Sequence, residues 1–189
     1  MITCQPTTPT SKIQLSAYDT PCGRLLLGSN EGKLCLCDWA VRFPESAVER
    51  RLCRGLNAEL TEQPSEVTTE AARQLDEYFA GCRQIFQLPL KFVGTDFQRS
   101  VWESLINIPY GATYSYAELA AHIGMPRATR AVAHAVGANA ISIIVPCHRI
   151  MGSHGKLTGY AGGLAAKRFL LDGEGDNFCF SVRKGCNME

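Results

Sequence analysis

The run Ile143-Ile144-Val145-Pro146-Cys147-His148-Arg149-Ile150 constrains this chain more than any other stretch. Three β-branched apolar residues precede a proline, a cysteine and a histidine. Such a run predicts a buried strand or a tightly packed extended segment. Pro146 donates no backbone hydrogen bond and biases Val145 towards an extended shape. The cysteine is therefore placed where buried structure stops. A nucleophile at such a boundary can meet a ligand and still be rigidly supported.

The chain has 189 residues, room for one domain or two small ones. At 46% hydrophobic and 20% charged it has the make-up of a globular protein. No apolar run approaches the roughly 20 residues that span a bilayer. The first eight residues lack the charged-then-apolar layout of a signal peptide. The expectation is a cytosolic or nucleic-acid-associated protein with no membrane partner. Nine cysteines is an odd count with irregular spacing and no C-x-x-C pair. That disfavours a disulfide framework and a cysteine-rich zinc site. Most of these residues are expected to be small buried hydrophobes, with Cys147 the exception.

The net charge of +1 hides an asymmetry along the chain. No acidic residue occurs from Leu119 to Leu171, a span holding Arg127, Arg130, Arg149, Lys156, Lys167, Arg168 and all four histidines. A locally basic surface suits a polyanion such as nucleic acid. Solvated charges balanced in space by acids elsewhere would give the same count.

Residues 12–40 have the alternation of β structure, with a hairpin around the glycine-containing turn Ser29-Asn30-Glu31-Gly32. A short charged helix is expected over 45–55. A longer one is expected over 65–80, where Val67, Ala71, Leu75 and Phe79 recur every fourth residue and Gly81 stands at the C-cap. This half carries no catalytic constellation and is expected to be a scaffold. A boundary falls near 91–94. Thr95-Asp96-Phe97-Gln98 is a capping box opening a helix to about 106, and Ser115-Tyr116-Ala117-Glu118 is a second. Gly124 ends that helix. Pro126 fits the first helical position of the next, over 127–136. Two short helices joined by a tight turn predict a helix-turn-helix. Arg127, Arg130 and His134 would share one face of the second helix, with Ala131, Val132, Ala135 and Val136 opposite.

A cysteine attacks as its thiolate, so a site must lower its pKa from about 8.5 or supply a base. We expect a thiolate activated at neutral pH. His148 is the adjacent base, acting directly or through a bridging water. It needs an orienting acceptor. Among the acids downstream, Glu174 is the best placed, just past a helix over 164–171 and between two glycines. A Cys-His pair alone also fits a buried thiol beside a hydrogen-bonded histidine. The loop Thr158-Gly159-Tyr160-Ala161-Gly162-Gly163 shifts the balance. Its glycines admit close backbone approach, and its tyrosine offers a face on which a base can stack.

The second half resembles the O6-alkylguanine-DNA alkyltransferases, the methylated-DNA–protein-cysteine methyltransferases. The resemblance runs from about Thr95 to Gly175. It rests on Pro146-Cys147-His148-Arg149, Ser115-Tyr116-Ala117-Glu118-Leu119-Ala120, Arg130-Ala131-Val132, Gly159-Tyr160-Ala161-Gly162-Gly163-Leu164 and Leu170-Leu171-Asp172-Gly173-Glu174-Gly175. It implies an α+β protein. An N-terminal α/β domain with a small antiparallel, ribonuclease-H-like sheet (1–92) would precede a mainly helical domain with a helix-turn-helix (93–175) and a tail (176–189).

It also implies a function: direct-reversal DNA repair. One alkyl group would move irreversibly from O6-alkylguanine, or O4-alkylthymine, in double-stranded DNA to Cys147, in a single turnover with nucleotide flipping. Cys147 resembles the acceptor, His148 the water-mediated base, Glu174 its orienting partner and Asn139 the hinge residue. Arg130 resembles the finger that replaces the extruded nucleotide. Tyr116 resembles the residue that rotates the phosphate and gives guanine a proton. Tyr160, the Ala161 amide and the Ile150 carbonyl resemble contacts to the flipped base. The second helix would enter the minor groove, with Ala131 and Ala135 permitting close approach. No cofactor is implied, and the protein would act as a monomer. Some members hold zinc in the N-terminal domain. Here Asn30 stands at one ligand position and Cys35 replaces a histidine at another, so no metal is expected. A non-catalytic lesion sensor of the alkyltransferase-like type is the alternative, but such proteins lack the acceptor cysteine. A cysteine hydrolase would need a distant histidine and an oxyanion hole, and neither is evident.

Overall fold

A computed structural model describes residues 9–42 and 46–175. The expected tail over 176–189 lies outside the described residues, as do the first eight residues.

The N-terminal half is a four-stranded sheet in the order β3-β2-β1-β4. Strands β1 (Ser11–Thr20), β2 (Gly23–Asn30) and β3 (Lys33–Trp39) form the expected antiparallel meander. The second hairpin is tighter than its sequence suggests. Ser29 and Asn30 belong to β2, and the turn is only Glu31-Gly32. Both turn residues are left-handed, with φ of 51° and 72°. This backbone twist matches that of the flanking strands. The sequence did not reveal β4 (Ala58–Glu62), which pairs parallel to β1 from Ser11↔Ala58 to Leu15↔Glu62. Parallel pairing requires a crossover, and part of it is helix α1 (Ala47–Leu56). Helix α2 (Glu66–Phe79) packs on the sheet through Ala71, Leu75 and Tyr78, all fully buried. Ser65 and Thr68 form its capping box. Its far end closes as a Schellman motif, with Gly81 N–H donating to the Tyr78 carbonyl and Cys82 N–H to that of Glu77.

The free edge of β3 is covered twice. Leu34 exchanges backbone hydrogen bonds with Pro89 and Lys91 (both 2.8 Å), and Cys37 with Ala140 (2.8 Å) and Ser142 (2.6 Å). An uncovered edge would be a template for unwanted pairing. Here it docks the segment that leads to Cys147.

The C-terminal half is mainly helical: α3 (Asp96–Ile106), α4 (Tyr116–His122), α5 (Thr129–Gly137) and α6 (Gly163–Glu174). Both predicted capping boxes are present, Thr95 with Gln98 and Ser115 with Glu118. Val101, Trp102, Leu105, Leu119, Ala120 and Val132 fill the space between α3, α4 and α5. Helices α4 and α5 form the expected helix-turn-helix, with one correction. Pro126 and Arg127 lie in a turn, and α5 begins at Thr129. Arg127 therefore does not share a helical face with Arg130 and His134. A short parallel pair, β5 (Tyr114–Ser115) with β6 (Ile150–Met151), ties the start of α4 to the residues just after Cys147. Among the described residues no helix is long and apolar enough to cross a membrane.

Gly28 sits where β2 is squeezed between its neighbours. A Cβ there would lie 2.9 Å from Leu36 Cβ and 3.0 Å from Leu15 Cδ2. Gly28→Ala is expected to cost about 1–3 kcal/mol through overpacking, measured as a lower midpoint in chemical denaturation.

Candidate active site and nucleic-acid face

The segment between α5 and Cys147 is a buried turn, not the strand its composition suggests. Ile143 adopts φ 70°, a strained value for a β-branched residue. Burial of residues 140–150 holds it there, with help from two short-range bonds, Ile144 N–H to the Ser142 carbonyl and Val145 N–H to that of Ile141 (both 2.9 Å). Asn139 fastens both ends of this turn. Its Oδ1 accepts from Ile141 N–H (2.9 Å), and its Nδ2 donates to the Val145 carbonyl (3.0 Å) and to Cys147 Sγ (3.3 Å). One amide thus links the end of the second helix of the motif to the sulfur, as a hinge residue would.

Cys147, His148 and Arg149 form a single 3-10 turn after Pro146. Cys147 is 7% exposed and lines a cavity of about 320 Å³. Tyr116, Asn139, Tyr160 and Ala161 share that lining, all four named from the sequence. Ser142 lines it too, and so do Arg42 and Gly137, for which the sequence suggested no place in a site. Arg42 comes from the N-terminal half, which therefore supplies part of the cavity wall.

His148 is fully buried, and its Nε2 lies 2.8 Å from Glu174 Oε1. Glu174 is the last residue of α6, which runs three residues beyond the predicted helix end at 171. Its carboxylate collects donors from the whole molecule. Oε1 also accepts from Tyr78 OH (2.7 Å) and Arg149 Nη2 (2.9 Å), and Oε2 from Arg149 Nε (2.8 Å) and Gly111 N–H (3.3 Å). Burial alone would push this carboxyl up, but His148 and Arg149 outweigh it and hold the group well below the usual range. Glu174 is therefore a carboxylate. Burial lowers the pKa of His148, against the pull of Glu174, so the imidazole is neutral at pH 7. A neutral ring facing a carboxylate carries its proton on Nε2. Nδ1 then holds a buried lone pair with no protein partner.

The expectation of a thiolate at neutral pH is overturned. Burial raises the Cys147 pKa above its ordinary value, although the Asn139 amide works in the other direction. The resting sulfur is a thiol.

Several further expectations need correction. Arg149 and Lys167 are buried, so they add nothing to a basic surface. Lys167 donates to the carbonyls of Ile150 and Thr158 (2.9 Å to the latter), fastening the glycine-rich loop to β6. Ile150 is fully buried, and its carbonyl accepts from Lys167 Nζ. Ala135 is buried, and its carbonyl accepts the indole N–H of Trp102 (2.8 Å), because α5 turns this face towards α3. It cannot ease approach to DNA. Ala131 is exposed beside Arg130, not opposite it, and together with His134 and Gly137 they form the outer face of α5. Tyr160 is half-buried against Trp39 of β3, with ring centroids 5.7 Å apart. Gly162 passes so close to Trp39 that a Cβ would fall 2.3 Å from the indole.

A mixed sheet, a helix-turn-helix and a buried Cys/His/Glu constellation beside a cavity define a class of cysteine-bearing, DNA-binding proteins. Comparison with known proteins agrees. The family described as 6-O-methylguanine DNA methyltransferase, ribonuclease-like domain, matches residues 13–92, and its DNA binding domain matches 96–176. A methylated-DNA–protein-cysteine methyltransferase of Methanosarcina barkeri is 44% identical over 164 residues, 84% of this chain and 95% of that protein. A constitutive one from Bacillus subtilis is 43% identical over 160 residues, 82% and 90% of the two chains. The crystal structure of Mycobacterium tuberculosis OGT in complex with DNA superposes with a TM-score of 0.73 at 39% identity, covering 87% of this chain and 94% of that one. The chain belongs to the O6-alkylguanine-DNA alkyltransferase family.

Tyr78 tests the carboxylate cluster from the N-terminal side. Tyr78→Phe is expected to cost about 1–2 kcal/mol at pH 7 by removing one donor from a buried charge. Because Glu174 has a depressed pKa when folded, its contribution is full above the unfolded value near 4.5 and fades as pH falls through the folded one. The stability difference between wild type and variant should therefore narrow in strong acid. Denaturation at pH 7 and at successively lower pH measures it, and a pH-independent difference would show that the hydroxyl does not act on the carboxylate.

Proposed function

We propose that Cys147 is the alkyl acceptor in direct-reversal DNA repair, with His148 as its base, Glu174 as the group that orients that base and Asn139 as the hinge that places the sulfur. The chain is a methylated-DNA–protein-cysteine methyltransferase, as its relatives are named. The observation that carries the residue assignment is the sulfur's position. It is supported by Asn139 at 3.3 Å and lines a cavity, and His148, next to it in the same 3-10 turn, is paired with Glu174.

The chemistry follows from this arrangement. A lesion oxygen inside a duplex is out of reach of a thiol, so the nucleotide must leave the stack. Arg130, exposed near the start of α5, fills the gap, and Ala131 beside it lets the helix approach the minor groove. The flipped base enters between Tyr160 and Tyr116, with the Ala161 amide at its edge. The thiol proton passes through a bridging water to Nδ1 of His148. Sulfur forms its bond to the alkyl carbon as the C–O6 bond breaks and leaves its electron pair on the purine. A proton from Tyr116 neutralises the departing guanine, and His148 restores that proton, so the thiol hydrogen ends on the base. A thioether has no leaving route in this site, so each molecule reacts once. O4-alkylthymine fits the same chemistry. We further propose a division of labour near residue 92, action as a monomer, and residence in the cytoplasm or, in a nucleated cell, the nucleus.

Incubation with methylated duplex should place one methyl group per chain on the peptide containing Cys147, and Cys147→Ser should carry none. Mass spectrometry reads both, and methyl found on another cysteine would move the acceptor role elsewhere.

Arg130→Ala is expected to slow repair in duplex by on the order of 10–100-fold, since extrusion costs a few kcal/mol and each 1.4 kcal/mol is tenfold. Reaction with free O6-alkylguanine base should be better preserved. Rates on the two substrates decide it, and equal losses would remove the finger role.

A further inference from the structure

Helix α5 carries Arg130 and Ala131 on its outer face, and it ends at Gly137, two residues before the asparagine that holds the sulfur. Carbonyls at a helix C-terminus lack partners within the helix and must find donors elsewhere. At this end of α5, side chains of two other helices supply them. The Ala135 carbonyl accepts from the Trp102 indole of α3 (2.8 Å), and the Ala138 carbonyl accepts from Nη2 of Arg51 on α1 (2.7 Å). A cation here also suits the partial negative charge of a helix C-terminus. The two donors brace each other. The Arg51 guanidinium lies over the Trp102 ring, 5.2 Å from its centroid. The indole has no room to give way: Phe92 packs beside it at 5.7 Å, and a Cβ on Gly94 would fall 2.6 Å from it.

The Ala138 carbonyl and the Asn139 N–H belong to one rigid peptide plane. A donor that fixes the carbonyl therefore also fixes the Cα from which the Asn139 side chain departs. That side chain donates to the Val145 carbonyl (3.0 Å) and to Cys147 Sγ (3.3 Å). One peptide unit thus joins Arg51 of the N-terminal half to the sulfur. The Arg51 Nε is buried with no hydrogen-bond partner among the described residues. An apolar side chain of similar length would avoid that cost. It could not supply the donor to Ala138.

We propose that Arg51 is a positioning residue for alkyl transfer: by holding the Ala138–Asn139 peptide it sets where the Cys147 sulfur stands relative to the helix that meets DNA. The inference rests on the repair reading above and adds a residue of α1 to it. Arg51 acts through Asn139 and touches neither the lesion nor the sulfur. Small displacements suffice for a large effect, since a misplacement of about 1 Å caused by a remote change can cost on the order of 100-fold in rate.

The test uses the full chain and two variants. Arg51→Met keeps the length and the apolar contact with Trp102 but removes the donor, and Arg51→Lys keeps a donor and the charge. Single-turnover reaction at rising concentrations of methylated duplex separates the saturating rate from the half-saturating concentration. In Arg51→Met the saturating rate should fall on the order of 10-fold. The half-saturating concentration should stay as in wild type, because the outer face of α5 is untouched. Free alkylguanine base should show the same fall, and Arg51→Lys should recover most of the rate. A second readout is the pH profile of Cys147 alkylation by iodoacetamide, followed by mass spectrometry of its peptide. The Asn139 amide and the Lys167 charge of α6 lower the Cys147 pKa, against burial and the Asp38 charge of β3. Cys37, Tyr116 and Tyr160 also lie within electrostatic reach of the sulfur. A loosened Asn139 gives up its part, so the profile of Arg51→Met should move to higher pH. A residue that only holds the fold together would leave that profile in place. A wild-type saturating rate and an unmoved profile in Arg51→Met overturn the proposal, even if its denaturation midpoint is lower. So does an equal defect in Arg51→Lys, which assigns Arg51 to packing on Trp102. Failure of the wild-type chain to take a methyl group from any duplex would instead sink the repair reading, and the iodoacetamide profile would still report on Arg51.

Discussion

The Glu174 carboxylate is the interaction on which the rest of the structure depends. A charge without solvent contact must be matched by donors or it neutralises. Here five donor contacts reach it from three other parts of the chain: Tyr78 on α2, Gly111 after α3, and the pair His148 and Arg149. Arg149 in turn holds the Ile108 carbonyl at 2.6 Å and lies over Tyr110. Gly111 must be glycine on two counts. Its φ is 75°, and a Cβ would fall 2.8 Å from the Glu174 carbonyl oxygen. Folding the two halves together and fixing the protonation of His148 are therefore one event.

The same coupling appears at the edge of β3. Cys37 holds Ala140 and Ser142 by backbone hydrogen bonds, and the turn between them and Pro146 takes a strained path through Ile143. Strain of this kind persists only when the surroundings over-determine it. The sheet edge fixes one end, Asn139 fixes both, and the buried side chains fill the middle. Trp39, two residues beyond Cys37 on the same strand, presses on Gly162 and Tyr160 of the glycine-rich loop. One strand of the N-terminal half therefore positions both walls of the cavity.

Local signals in the sequence carried most of this. The capping boxes at Thr95 and Ser115, the Gly81 closure and the Glu31-Gly32 turn each depend on a few neighbouring residues, and so they are legible in one dimension. Cys147, His148 and Glu174 were named from the apolar run and the few acids downstream, and Asn139 from the resemblance; the structure pairs Asn139 with Cys147 and His148 with Glu174. What stayed hidden depends on distant partners. Strand β4 pairs with β1 across more than forty residues, and nothing in its composition names that neighbour. Arg149 and Lys167 were counted as surface cations because charge counts carry no burial. A cation inside an apolar run such as 143–150 was nonetheless a sign that an acid waits for it. Ala131 and Ala135 were placed on one side, but successive helical residues are about 100° apart, so Ala131 stands beside Arg130 on the exposed face while Ala135 is buried. The thiolate expectation was argued from the adjacent His148, whereas burial of the sulfur, with the Asp38 charge adding to it, favours the neutral form.

A buried acceptor that rests as a thiol has a physical logic in a protein that reacts once. A free thiolate would be consumed by any electrophile that reached it, and the molecule could not be restored. On the proposed roles, a proton held on sulfur with His148 as the base makes deprotonation depend on what fills the cavity. A flipped purine would displace loose solvent, leave the path from sulfur to imidazole as the remaining proton route, and place the alkyl carbon in line with the sulfur. Reactivity then belongs to the complex with the lesion, not to the resting protein. The depressed basicity of His148 fits this scheme, because an imidazole kept neutral at pH 7 is ready to receive a proton at that moment. The carboxylate behind it stabilises the imidazolium that results. On the proposed assignment, the burial that favours the thiol at rest also shapes the cavity that would receive the lesion.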